Sequence, residues 1–342
     1  MMSAKRVAAA VACVGVLSVA SSAWSAPWGY RSDGLAGAAG GSAALAYAPD
    51  GTLYVADAAD GSIVAIAPGG GRSTLSVTGV SLVSVGGMAV SSDGATLYVT
   101  DNKGWGDGSG DLYAVPTAGG PGATLLAGMD HIDDVAVRAT GEVFVSEAAG
   151  ADLQGAGVGG VYQVSAGTAG QVVGGLYYAA GLAFDSAGDL IYQQATDTFA
   201  GEVSRLPVGD SGAALAFGAP QLLAGGLAGA FDLTVDGEDD VFVTGVGGVY
   251  VLDRDAAGNF TGSASGFEAQ GFSTEAAFVG GTNPFEGGAG YDGGHLTYVP
   301  EFVSADLADI TTVPEPATLA LLAGGALPAL LARRARRPSR KR

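Results

Sequence analysis

An all-β architecture, a six-bladed β-propeller of four-stranded antiparallel blades, follows from three features of this 342-residue chain. A two-strand phrase recurs five times. Its period is close to 47 residues. Gly is abundant, with 59 residues, but lacks the period of three that a collagen helix requires.

The first copy is Leu45-Ala46-Tyr47, a turn at Pro49-Asp50-Gly51, then Leu53-Tyr54-Val55. The second is Met88-Ala89-Val90 and Leu97-Tyr98-Val99. The third is Val135-Ala136-Val137 and Val143-Phe144-Val145. The fourth is Leu182-Ala183-Phe184 and Leu190-Ile191-Tyr192. The fifth is Leu233-Thr234-Val235 and Val241-Phe242-Val243. Two short β-runs around a Gly/Asp turn are a hairpin signature.

A third run follows each hairpin, at 63–66, 112–115, 161–164, 203–206 and 249–252. A shorter fourth run follows some of them, as at Leu75 to Val77, Leu125-Leu126 and Leu222-Leu223. Four antiparallel strands per repeat make a propeller blade. The anchors Leu53, Leu97, Val143, Leu190 and Val241 stand 44, 46, 47 and 51 residues apart, so residues 26 to 316 hold about six repeats. The sixth is degenerate. Ala276 to Val279 serves as its inner strand and Gly294 to Val299 as its second. The segment after Ala26 is expected to complete it and close the ring, which removes exposed sheet edges.

The two ends stand outside this repeat. Residues 1–25 read as a signal peptide: Lys5 and Arg6 precede an apolar run from Val7 to Ala20, predicted as a signal helix, and small residues follow. The single Cys, Cys13, lies within it, which excludes a disulfide framework. Residues 313–342 begin with Val313-Pro314-Glu315-Pro316. A short hydrophobic helix is predicted from Ala317 to Ala332, and a basic tail including Arg333, Arg334, Arg336 and Arg337 closes the chain. Sixteen residues at about 1.5 Å give roughly 24 Å of helix, short of a hydrocarbon core of about 30 Å. A basic end stays cytoplasmic, so the body would lie beyond the inner membrane.

The C-terminal order of motif, short helix and Arg cluster resembles the PEP-CTERM sorting signal of Gram-negative bacteria. That resemblance implies export, processing by an exosortase-type enzyme, transient inner-membrane association and release to a cell surface or exopolysaccharide matrix, as in biofilms. The body, 26–312, resembles NHL-repeat and gluconolactonase-like six-bladed propellers through its phrase of apolar run, Asx-Gly turn and Leu-Tyr-Val. That family implies a metal, Ca²⁺, in the central channel.

Charge narrows the partners. Lys and Arg total 15 against 34 Asp and Glu. Nine of the bases sit in the two ends, so the body keeps six bases against nearly all the acids, a net charge of about −28. Nucleic acid is excluded as a partner, and weak divalent-cation binding is compatible with such a surface. Family ligands stand two residues before the first apolar residue of an inner strand. Those positions here are Ala43, Gly86, Asp133, Ala180 and Phe231, so only Asp133 can ligate. Asp134 and Asp232, one position nearer the strand, add oxygens to a candidate metal set. His131 beside Asp133 and Asp134 is a candidate general base with a raised pKa, or a solvated histidine at the channel mouth.

Other acids read as turn formers. Asp57, Asp101 and Glu147 follow three second strands at one offset and are expected to bond backbone amides. Gly155 to Gly160 matches a dinucleotide fingerprint but precedes a strand rather than a helix. Gly209-Asp210-Ser211-Gly212 lacks the partners of a serine nucleophile. The acidic loops around Asp107–Asp111 and Asp236–Asp240 lack EF-hand spacing.

Two functions stand. The leading expectation is a non-catalytic exported scaffold that binds a matrix polysaccharide or surface protein. The alternative is a calcium-dependent lactonase or related hydrolase using Asp133, Asp134, Asp232 and His131.

Overall fold

The computed structural model describes residues 30–36, 41–103, 108–148, 159–195, 200–211, 214–237, 239–246, 248–268, 276–279, 295–298 and 306–312. The signal segment 1–25, the sorting segment 313–342 with Val313 to Pro316 and its arginines, and Trp105 all lie outside the described residues. Every helix-or-strand element among those described is a strand.

In chain order the strands are β1 (Tyr30–Ala36), then β2 (Ser42–Tyr47), β3 (Leu53–Asp57), β4 (Ile63–Ile66) and β5 (Arg72–Thr74). Next come β6 (Val77–Thr78), β7 (Val85–Val90), β8 (Thr96–Asp101), β9 (Gly110–Pro116), β10 (Gly120–Pro121) and β11 (Ala123–Met129). They are followed by β12 (Ile132–Val137), β13 (Val143–Glu147), β14 (Gly159–Ser165) and β15 (Thr168–Leu176). The fourth group is β16 (Tyr178–Phe184), β17 (Leu190–Ala195), β18 (Ala200–Leu206), β19 (Val208–Asp210), β20 (Leu215–Phe217) and β21 (Gln221–Ala228). The chain ends with β22 (Leu233–Val235), β23 (Val241–Gly245), β24 (Gly248–Arg254), β25 (Phe260–Glu268), β26 (Ala276–Val279), β27 (His295–Tyr298) and β28 (Asp306–Thr312).

Antiparallel sheets form in the orders β2-β3-β4-β5, β7-β8-β9-β11, β12-β13-β14-β15 and β16-β17-β18-β21. The β22-β23-β24-β25 group joins the last of these through one parallel contact between β21 and β25. The degenerate repeat pairs β26, β27 and β28, and β1 adds to β28 from the other end of the chain. His295 opens β27 opposite Val279, in a strand rather than a turn. The inner strands lie side by side: β2 against β7, then β12, β16, β22, β26, and back to β2. The whole is all-β and propeller-like.

Local chemistry explains the elements. The hairpin turns need a left-handed residue, and Gly51, Gly94, Gly141 and Gly188 supply it at φ of 84°, 73°, 102° and 80°. In the fifth hairpin Asp239 takes that conformation at φ 68°. The second strands carry continuous apolar runs because both faces are covered; all five residues of β3 are buried. Phe144, fully buried, meets Phe184 and Phe217 edge-on at 5.4 and 6.2 Å, tying β13 to the next sheet. Each such large side chain contributes about 1.5–3 kcal/mol by burial. The expected fourth strand at Leu75 to Val77 is displaced: Arg72–Thr74 makes that strand, and Val77 opens β6, which pairs with β10.

Asp57, Asp101 and Glu147 all accept from backbone amides, Asp57 within its own turn and the other two across the sheet, from the segment that leads into the inner strand. Asp57 accepts from the Ala59 amide at 2.9 Å. Asp101 accepts from Ser84 at 2.8 Å and Val83 at 3.0 Å. Glu147 accepts from Asp130 at 2.9 Å. The acidic loops are likewise engaged. Asp111 pairs with Lys103, Asp240 with Arg254 at 2.9 Å, and Asp239 accepts from the Ser186 amide at 2.6 Å. Asp210 is the partner of Arg138 at 2.8 Å.

Candidate functional site

The inner strands share one irregularity. Their ladders break where Ser42 gives way to Ala44, Val85 to Met88, Ile132 to Val135, and Ala179 to Leu182. The skipped residues bulge at the channel. In β12 they are Asp133 and Asp134; in β7 and β16 they are Gly86-Gly87 and Ala180-Gly181. Asp232 occupies the same place just before β22.

Hydroxyls on the second strands fasten the bulges. The Asp134 amide donates to Ser146 Oγ at 2.9 Å, and the Asp232 amide to Thr244 Oγ1 at 3.1 Å. The Gly87 amide donates to Thr100 Oγ1 at 2.7 Å, and that hydroxyl donates to the Asp133 carbonyl at 2.6 Å. Ser146, Thr244 and Thr100 are fully buried. Glycines make room for the acids. A Cβ on Gly87 would stand 2.2 Å from Asp134 Oδ1, and one on Gly181 would stand 2.5 Å from the Leu233 nitrogen.

Two groups of side chains result. Asp134 and Asp232 line one cavity of about 290 Å³ with Leu45, Met88, Leu182 and Thr234. Asp134 Oδ1 accepts from the Val135 amide and Oδ2 from the Leu182 amide, both at 2.7 Å, so it bridges β12 and β16. Asp232 Oδ1 accepts from the Leu233 amide at 2.7 Å. Asp133 lies outside this lining and shares its surroundings with His131 and Tyr178.

Electrostatics separates these acids from ordinary ones. Burial, reinforced by the Asp232 charge, pushes the Asp134 carboxyl well above the usual carboxylate range, against the pull of its two amides. Asp133 is pushed up to about 7, chiefly by burial, while a hydrogen bond from Tyr178 opposes the shift and Asp232 adds to it. Both residues are half-buried, and their enclosure by protein is the larger influence on them. No Lys or Arg contributes to either shift. Among the described bases, Lys103, Arg138, Arg205 and Arg254 are engaged with acids elsewhere.

The expectation for His131 is overturned. The ring is 2% exposed, not solvated, and burial drives its pKa down to about 4 rather than up. Asp133 Oδ1, at 3.9 Å from Nε2, does not offset that burial. His131 is a neutral imidazole at physiological pH, packed edge-on against Tyr178 at 5.8 Å.

The candidate metal set does not assemble. Among the described residues no three His, Cys, Asp or Glu side chains converge as ligands. Backbone amides already donate to both oxygens of Asp134 and to one of Asp232, which takes up part of their acceptor capacity. Calcium takes about six to eight oxygens, and these residues do not fit it. What the pair can do is proton chemistry: two carboxyl groups share one cavity, where burial and mutual repulsion favour their holding a proton.

Sequence reasoning missed Tyr178, Gly87, Gly181, Ser146 and Thr244. A signal for Tyr178 was present, since it precedes Leu182 by four residues as His131 precedes Val135.

No family model matches the chain, and no curated protein matches it in sequence. Solved structures do resemble it. A gluconolactonase from Xanthomonas campestris superposes with a TM-score of 0.60 at 16% identity, covering 83% of this chain and 90% of that one. A PQQ-bound aldose sugar dehydrogenase from Streptomyces coelicolor gives 0.60 at 15%, over 84% and 99%. Regucalcin from Agrobacterium tumefaciens, described as a calcium-binding protein, gives 0.54 at 14%, over 82% and 91%. At these identities the likeness establishes the fold, that of gluconolactonase- and regucalcin-like propeller proteins.

Proposed function

We propose that this chain is a six-bladed propeller that hydrolyses a small cyclic ester, a lactone, in its central channel. The observation that carries the reading is the pairing of Asp134 and Asp232 on one cavity, where burial and the Asp232 charge raise the Asp134 pKa and favour its protonated form. The gluconolactonase-like fold supports it. In the proposed reaction the Asp232 carboxylate takes a proton from water as the oxygen attacks the ester carbonyl carbon. The Asp134 carboxyl hydrogen-bonds the developing oxyanion. The ring C–O bond then breaks, and the leaving oxygen takes the proton back from Asp232. The products are one hydroxy acid per lactone, with both side chains restored. The residues here take these roles without a bound cation.

The test is hydrolysis of a panel of sugar lactones by the full chain, beside Asp134→Asn and Asp232→Asn. General acid–base roles of this kind are worth about 10²–10⁴-fold, so each variant loses at least about a hundredfold. Equal rates for wild type and Asp232→Asn would overturn the reading. Saturable binding of matrix polysaccharide or a surface protein without turnover would instead favour the scaffold function.

The address is part of the proposal. Residues 1–25 direct export across the inner membrane of a Gram-negative bacterium, and 313–342 engage an exosortase-type enzyme before release.

A further inference from the structure

We propose that the propeller has a membrane face, the one opposite the bulges that carry Asp134 and Asp232: both ends of its closing sheet leave from that face, so a chain held at a bilayer by its apolar end segments turns the channel mouth away from the lipid. This rests on the address reading of residues 1–25 and 313–342 and not on the lactonase reading.

The two faces are fixed by the ladders. Each inner strand starts at its bulge, beside the end of the second strand, and finishes at the hairpin turn. Ser42 pairs with Asp57 and Tyr47 with Leu53; Ile132 pairs with Glu147 and Val137 with Val143. Third strands finish level with that turn, Ile66 opposite Leu53 and Val164 opposite Val143. The closing sheet keeps the same inner-to-outer order, β26-β27-β28-β1. In it Val279, the end of β26, pairs with His295, and His295 pairs with Thr311. β28 therefore finishes on the turn face. Tyr30 starts β1 opposite Thr312, so the chain enters and leaves the propeller side by side.

Length then decides the orientation. Val313 to Pro316 separate Thr312 from the apolar run that begins at Ala317, at most about 17 Å of chain. β28 lends no further length, because all seven of its residues pair with β1 and four of them also with β27. Seven residues of strand measure about 23 Å. A body lying mouth-down would hold Thr312 at that height, beyond the reach of the spacer. Asp50 and Asp93 are exposed on the turn face and oppose adsorption to an anionic leaflet, so the tether and not surface contact sets the orientation.

The test uses the full chain with Cys13→Ser, which removes its one Cys. A single label site is placed on the turn face by Gly69→Cys, where a Cβ meets no atom within 4 Å, or by Ser92→Cys, which is exposed. Val83→Cys, at a residue 51% exposed ahead of β7, places one on the bulge face. Each labelled chain is bound to phosphatidylcholine–phosphatidylglycerol vesicles whose headgroups carry an energy acceptor. Sedimentation with the vesicles reads attachment, and energy transfer reads orientation. The six residues of β7 set the faces about 20 Å apart, so transfer from positions 69 and 92 exceeds that from 83 at least about threefold. Equal transfer, or more from position 83, overturns the proposal. A chain that does not sediment with the vesicles overturns it together with the address reading. Two turn-face positions in different blades keep the test standing if one variant does not fold. Lactone hydrolysis enters neither readout, so failure of the lactonase reading is seen separately.

Discussion

Replacing Gly181 by Ala tests the close approach on which the channel depends. The new Cβ would stand 2.5 Å from the Leu233 nitrogen and 2.8 Å from Asp232 Cα, whereas ordinary contact begins at 3.4 Å. The neighbour must therefore yield by about 0.9 Å at the nearest atom. That neighbour is backbone, fastened by the Thr244 hydroxyl at 3.1 Å and by the Leu233 amide on Asp232 at 2.7 Å, so no side-chain rotation relieves the clash. Overpacking of this kind costs about 1–3 kcal/mol. The loss of glycine's freedom in the unfolded chain returns about 0.4–1 kcal/mol. The net is a destabilisation of about 1 kcal/mol, and for a domain of this size the melting midpoint falls by about 2–4 °C. Gly181 is not in the left-handed region, so backbone strain does not enter. Calorimetry reads the midpoint. Gly69→Ala is the control: no atom lies within 4 Å of its Cβ, and it should melt with wild type or slightly above. If Gly181→Ala melts with wild type, β16 and β22 do not meet as described, and the placement of Asp232 beside Asp134 goes with them.

Two further outcomes follow from the same site. Asp133 binds its proton more tightly in the folded state, with a pKa near 7 against 3.8, so it costs stability as pH rises from about 4 to about 7; Asp133→Asn should remove about 4 kcal/mol of that decline at most. His131 acts in the opposite sense between about pH 4 and 6.5, so the quantity to measure is the difference in urea midpoint between variant and wild type, and a difference that does not change with pH would refute the assignment. Added Ca²⁺ or EDTA should leave the thermal midpoint unmoved. Calcium at about a hundredfold its Kd would raise stability by about 2.7 kcal/mol, so a rise of several degrees that Asp134→Asn abolishes would restore the metal to the channel.

Much of the fold was legible because its signals are local. Short apolar runs around a Gly/Asp turn specify a hairpin within a dozen residues, and five repetitions state the architecture. Even the weak repeat was readable, with β26 and β27 where Ala276 and His295 begin them. The fourth strands were less so. Their outer position lets Arg72–Thr74 stand fully exposed as β5, where an apolar run was expected two residues later.

The candidate site was only half legible. Asp133, Asp134 and Asp232 could be singled out by their offset from the inner strands, and the buried state of His131 could not. Whether acids at equivalent offsets form a metal cage or a proton-sharing pair depends on which amides reach them, and Leu182 lies 48 residues from Asp134. Burial has the same origin: it is the sum of neighbours from several blades, and no single repeat contains it.

By itself, then, the sequence determined the repeat, its period, its strand order and the residues that carry charge into the channel, because periodicity and turn chemistry act over a few bonds. Only the tertiary structure decided that Asp134 and Asp232 share a cavity, that Tyr178 packs on His131, and that His131 is neutral, because desolvation and carboxylate repulsion are set by distances between chain segments that the sequence keeps far apart.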